Sequence, residues 1–111
     1  LIDEIAEECM SSSNGKPLCL IVKVKAVPGK ELELKEVLTR MIEPTRQEPG
    51  CIAYQLYANE KSDTFFFYEL WETAAHLDAH GKTEHYQRLC KERVGLVADG
   101  GENSRLEEVL V

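Results

Sequence analysis

The stretch Thr64-Phe65-Phe66-Phe67-Tyr68-Glu69-Leu70-Trp71-Glu72 decides how this chain folds. Aromatic side chains favour the pleated backbone of a strand, and side chains along a strand alternate between its two faces. Phe65, Phe67, Glu69 and Trp71 therefore share one face, and Phe66, Tyr68 and Leu70 share the other. Both faces are apolar, so both need cover. Helices are expected on one and a partner subunit on the other, because a monomer would leave a contiguous apolar patch in water. Just upstream, residues 51–59 alternate Ile52, Tyr54 and Leu56 against Ala53, Gln55 and Tyr57, which reads as a second strand. Asn59-Glu60-Lys61-Ser62-Asp63 is a polar loop that joins the two as a hairpin.

Further upstream, residues 18–27 form another strand, with Leu20, Val22 and Val24 alternating against Ile21, Lys23 and Lys25 until Pro28-Gly29 breaks it. Residues 30–48 carry Leu34, Val37, Leu38, Met41, Ile42 and Thr45 at three- and four-residue steps, the stripe of an amphipathic helix. Pro44 falls inside that pattern and must kink the helix or end it early, and Pro49-Gly50 stops it in any case. Downstream, Thr73 can cap a helix over residues 74–80 that Gly81 ends. Thr83 can cap another from 84 to about 97, with Tyr86, Leu89, Cys90 and Val94 inward. A turn over residues 98–103 and a last strand over 105–111 complete the order β-α-β-β-α-β. That order is an α+β, ferredoxin-like arrangement with a four-stranded antiparallel sheet. Residues 1–10 show an apolar helical period and 11–17 a linker composition. Residues 1–17 are thus set apart from the domain at 18–111, as a helical extension or as a tag-like remnant ahead of Met10.

The 111 residues fit one domain whose small core would benefit from pairing. With 43% hydrophobic and 30% charged residues the chain is of globular type rather than disordered. A net charge of −7 with no basic stripe speaks against nucleic acid as a partner. The longest apolar run, residues 18–22, is far too short to span a bilayer, so no membrane partner is expected. No signal-like start is present. Cys9, Cys19, Cys51 and Cys90 form no C-x-x-C pair. Reduced thiols in a cytoplasmic protein are expected, with Cys19 and Cys51 as small core residues.

Few residues invite chemistry. Glu69, on a face with three aromatic side chains, should have a pKa raised by desolvation and could serve as acid or base. Its plain alternative is a buried carboxylate with a purely structural partner. His80 ends a short helix and could act as a general base near neutral pH; a helix C-terminus also favours a histidine for its charge alone. His85 is the next candidate, and His76 reads as surface. His76 and His80 have the spacing that can put two imidazoles on one metal, with His85 as a third. The helix ends at Gly81 and no H-E-x-x-H pattern is present, so no metal is expected. Trp71, Phe67, Tyr54 and Tyr57 could line a pocket and stack on a planar substrate, or simply fill the core. Lys23, Lys25, Arg46 and Arg88 could hold an anionic substrate, although solvated surface is the default for each. There is no glycine-rich phosphate loop.

Taken in order, Val27-Pro28-Gly29-Lys30, Glu43-Pro44-Thr45-Arg46, Glu48-Pro49-Gly50-Cys51, Tyr54, Phe67, Glu69, Trp71-Glu72, Leu77-Asp78-Ala79-His80 and His85-Tyr86 resemble the antibiotic-biosynthesis-monooxygenase family. The resemblance implies a dimeric α/β barrel, in which two four-stranded sheets pack face to face, with a pocket between sheet and helices in each subunit. It also implies oxygenase chemistry without metal or flavin, the substrate itself activating O2. Heme-degrading relatives carry an asparagine on the first strand, and residues 18–27 contain none. The segment His80-Gly81-Lys82-Thr83-Glu84-His85-Tyr86 is also similar to the phospho-autoinducer isomerase branch. The expectation is a homodimeric, cofactor-independent monooxygenase acting on a quinol-like or polyphenolic molecule. His80 and Glu69 would be catalytic, and Trp71, Phe67, His85, Tyr57 and Arg46 would bind substrate. An isomerase of a small phosphorylated sugar and a non-catalytic dimeric binding or stress module are the alternatives.

Overall fold

Strand β3 (Thr64–Trp71) lies inside the sheet of the computed structural model, which describes residues 17–98 and 102–106. Strand β1 (Leu18–Lys25) and strand β2 (Cys51–Ala58) flank it, and β4 (Glu102–Leu106) lies beyond β1, giving the order β2-β3-β1-β4. All three pairings are antiparallel, with Leu18 opposite Trp71 and Lys25 opposite Thr64 in the central one. The sheet is covered on one side only. Phe65, Phe67, Glu69 and Trp71 are buried there, whereas Phe66, Tyr68 and Leu70 on the other face are half-buried. The β-α-β-β-α-β order and the ferredoxin-like sheet are as expected, and the alternation in β3 sets which face the helices cover.

Among the described residues the helices are α1 (Glu31–Thr39), α2 (Ile42–Arg46), α3 (Ala74–His80) and α4 (Glu84–Glu92). The helix expected over residues 30–48 is two. Proline has no N–H to give and clashes with the carbonyl four residues back, here that of Arg40. Starting a new helix at Ile42 puts Pro44 in a first turn, where backbone N–H groups lack intrahelical partners anyway. The apolar stripe survives the break, since Leu34, Val37, Leu38, Met41 and Thr45 are all buried. Thr73 and Thr83 cap α3 and α4, their hydroxyls accepting from the N–H of His76 and of Tyr86 at 3.2 Å.

Helix α4 stops at Glu92, not near residue 97. Gly95 at φ +82° turns the chain so that Leu96 is buried and Val97 bridges to Ala26 beyond β1. Val94, expected on the inner side, is 77% exposed as a result. The last strand begins at Glu102 rather than 105, because β1 offers partners from Lys23 to Cys19 to that segment. The expectations for residues 1–16, Cys9 included, and for 107–111 lie outside the described residues. Cys19, Cys51 and Cys90 are free and half-buried; Cys51 packs against the edge of the apolar core, as expected, whereas Cys19 stands outside that cluster. Among the described residues no helix is long and apolar enough to cross a membrane.

Gly50 joins α2 to β2 at φ +81°, and a side chain there would overlap the His76 imidazole. Gly50→Ala should combine left-handed strain with that clash and cost on the order of 2–3 kcal/mol. Gly29→Ala, at φ +90° with nothing nearby, carries the strain alone. Urea unfolding should thus rank Gly50→Ala well below Gly29→Ala, and equal midpoints would refute the packing role of Gly50.

Candidate active site

Between the covered face of the sheet and helices α3 and α4 lies a cavity of about 400 Å³, within the range small-molecule sites occupy. The sheet supplies Leu20, Val22, Val24, Tyr54, Phe67, Glu69 and Arg105 to its wall. The helical layer adds Leu38, Leu77, Asp78, His80, Tyr86, Leu89 and Arg93. Tyr54, Glu69, Leu20 and Arg105 are partners in successive ladders, so they form one row across the sheet. Residues directly opposite in a ladder point to the same face.

His80 is 3% exposed and sits among rings: Trp71 at 5.0 Å between centroids, Tyr86 at 5.2 Å, Tyr54 at 5.8 Å and His85 at 5.9 Å. Its Nδ1 is 2.7 Å from Glu48 Oε2, and the same oxygen is 2.7 Å from His85 Nε2. A carboxylate oxygen only accepts, so both of these nitrogens carry hydrogens. In the neutral ring His80 Nε2 is then the basic atom. Burial pushes the His80 pKa below its ordinary value against the opposing pull of Glu48, and this favours that neutral form. The result is an imidazole with a fixed tautomer and orientation, as a general base requires.

Glu69 accepts from Trp71 Nε1 at 2.9 Å and is 4% exposed. Burial raises its pKa to about 7, outweighing the Trp71 hydrogen bond. The stability consequence has a definite sign. A carboxyl group with a folded pKa above its ordinary 4.5 stabilises the fold below 4.5 and loses that contribution as pH rises to about 7. Relative to the native chain, Glu69→Gln should gain about 3 kcal/mol across that window. Denaturation at pH 4.5 and at pH 8 reads it, and a constant difference between the two chains would show that Glu69 is not protonated by burial.

Among the residues singled out from sequence, His80, Glu69, Phe67 and Tyr54 lie in the cavity wall. Trp71 is fully buried behind it, bonded to Glu69 and packed on His80, and His85 stands behind Glu48. Tyr57 and Arg46 do not line the cavity. Tyr57 pairs with Phe66 on the outer face, is 53% exposed and donates to Gln55 Oε1 at 2.9 Å. The parity that turns Tyr54 inward turns Tyr57 outward. Arg46 Nε donates to the Tyr54 carbonyl at 3.0 Å and so ties α2 to β2. Glu48, Arg93 and Arg105 carry much of the site's polarity and had no assigned role. Glu48 is 32 and 37 residues from its histidines, a separation at which no local pattern signals contact.

The set His76, His80 and His85 does not assemble, because the His76 ring lies against Gly50 with its Nδ1 on the Thr73 hydroxyl. Glu48, His80 and His85 do bring three potential ligand atoms within 4.8 Å of one another. Two imidazoles and a carboxylate could hold a divalent cation. Their 2.7 Å separations are those of charge-assisted hydrogen bonds. Ligands at ~2.0–2.1 Å from one ion stand about 3 Å or more apart, so a cation would have to open the cluster.

Residues 17–92 match the family profile for antibiotic biosynthesis monooxygenase. The chain is 34% identical over 87 residues to the uncharacterized protein sll1783 of Synechocystis sp., covering 78% of this chain; it spans 59% of that relative's length. The crystal structure of PA3566 from Pseudomonas aeruginosa superposes with a TM-score of 0.83 at 29% identity, over 89% of this chain and all of that one. A crystal structure of an antibiotic biosynthesis monooxygenase gives 0.79 at 31% identity, over 84% and 99% of the two chains.

Proposed function

Because the chain belongs to the antibiotic biosynthesis monooxygenase family, we propose that it is a cofactor-independent monooxygenase oxidising a quinol-like or polyphenolic small molecule with O2. One observation carries this reading: His80, with Nδ1 held by Glu48, stands in the wall of a cavity that also presents Leu20, Val22, Phe67, Leu77 and Leu89. In this reaction His80 Nε2 takes the proton of a substrate hydroxyl. The electron-rich anion reduces O2 by one electron, and the radical pair joins as a carbon–peroxide bond. Cleavage of the O–O bond, with protons delivered through His80 and Glu69, releases water and leaves a quinone. A phenol and O2 thus give a quinone and water, with no outside reductant. Phe67, Leu77 and Leu89 limit water around the anion, which keeps its charge poorly solvated and reactive.

The test is oxygen consumption on metal-stripped protein with a panel of hydroquinones, phenols and naphthalenediols. Uptake above the uncatalysed background supports the reading. Background rates with every compound, under conditions where the same compounds bind, would sink it.

The proposed enzyme acts as a cytoplasmic homodimer. The half-buried Ile21, Phe66, Tyr68 and Leu70 on the uncovered sheet face support the pairing, since a second copy would take them out of water. Light scattering at micromolar concentration should give twice the chain mass of 12.6 kDa; a single-chain mass would contradict the dimer.

A further inference from the structure

We propose that the cavity selects an anionic substrate: a planar arenol with a carboxylate at the end opposite its reacting hydroxyl, held there by Arg93 and Arg105. The inference rests on the cavity being the substrate site. The row Tyr54–Glu69–Leu20–Arg105 works as a ruler. Neighbouring strands are about 4.8 Å apart, so Glu69 and Arg105 are separated by two spacings, about 10 Å at the backbone. That is close to the length of a two-ring aromatic carrying substituents at both ends.

Leu20 separates the two ends in the row, and Val22 and Leu89 also line the cavity. A ring system gains from packing on these apolar side chains. Arg93 caps the C-terminus of α4 and reaches the same cavity from the helical layer. Cationic side chains thus come from both layers, in a chain whose net charge of −7 would otherwise repel an anion. Asp78, the second carboxylate of the wall, sits on α3, the helix that carries His80. Guanidinium groups bind carboxylates through paired N–H···O bonds, which fixes orientation as well as charge. The arginines would therefore point the hydroxyl end toward His80 and Glu69.

The experiment is anaerobic binding, read by quenching of Trp71, the single tryptophan. The probes are 6-hydroxy-2-naphthoate, 3-hydroxy-2-naphthoate, 2-naphthol and inorganic phosphate. The native chain should bind 6-hydroxy-2-naphthoate at least tenfold tighter than 2-naphthol, and tighter than the isomer with adjacent groups. The double variant Arg93→Gln/Arg105→Gln should lose this preference while keeping its affinity for 2-naphthol, which also reports that it is folded. Equal binding of naphthol and naphthoate would overturn the proposal and leave the oxygenase reading standing. So would a preference that survives the double variant, or phosphate displacing the naphthoate at equal affinity. Binding of neither aromatic would overturn this proposal together with the substrate class proposed above.

Discussion

Oxygen uptake by the His80→Ala chain is expected to fall about 10²–10⁴-fold, the usual contribution of a positioned general base. The side chain is the one ring of the cavity wall whose basic nitrogen is set by a carboxylate at 2.7 Å. Truncating a buried ring also leaves a hole, so His80→Gln is the companion variant, filling most of the space without a base. Both should lose the uptake; full activity in either would remove His80 from the chemistry. Glu48→Gln separates positioning from reaction. Glu48 raises the His80 pKa against the effect of burial. Without that charge the basic form persists to lower pH, so the acidic limb of kcat/KM should move down while the plateau also falls, because the base is weaker and its tautomer less controlled. An unchanged pH profile would show that Glu48 does not act through His80.

The largest loss of stability is expected at Trp71. It has no exposed surface and is the largest fully buried side chain of the core, packed with Leu34, Leu38 and Phe65 in one apolar cluster. Trp71→Ala should cost about 3–5 kcal/mol, from lost apolar burial and the cavity left behind. Domains of this size are stable by ~5–15 kcal/mol, so the variant should unfold at a far lower urea concentration, and a shift under 1 kcal/mol would contradict the packing. Trp71→Phe tests the polar part separately. It keeps a ring but removes the N–H that Glu69 accepts. That bond lowers the Glu69 pKa, so its loss should push the value above about 7. The pH window over which the Glu69→Gln chain gains stability should then extend upward.

Much of the architecture is written locally in the chain. Alternation in β3 identified its two faces, Thr73 and Thr83 marked two helix starts, and Pro44 announced that the long helical stripe could not run unbroken. Each of these follows from backbone stereochemistry within a few residues: side-chain parity in a strand, orphan N–H groups at a helix start, a missing N–H at proline. The burial of Glu69 beside aromatic residues was legible for the same reason, since parity places it among them whatever lies opposite.

The site itself is another matter. That Glu48 meets His80 and His85 depends on α2 ending where β2 begins and on α3 and α4 folding back over that junction. Arg105 faces Glu69 across Leu20 only because β4 pairs with β1 and not with another edge. The early end of α4 follows from Val97 finding Ala26, and no helical period within residues 84–97 contains that partner. Sequence by itself determined the order of the elements and, along the strands, the face each residue presents, because those are short-range steric facts. Only the tertiary structure decided which polar groups share a cavity, because hydrogen bonds and charges act between atoms near in space, and chain separation does not measure that distance.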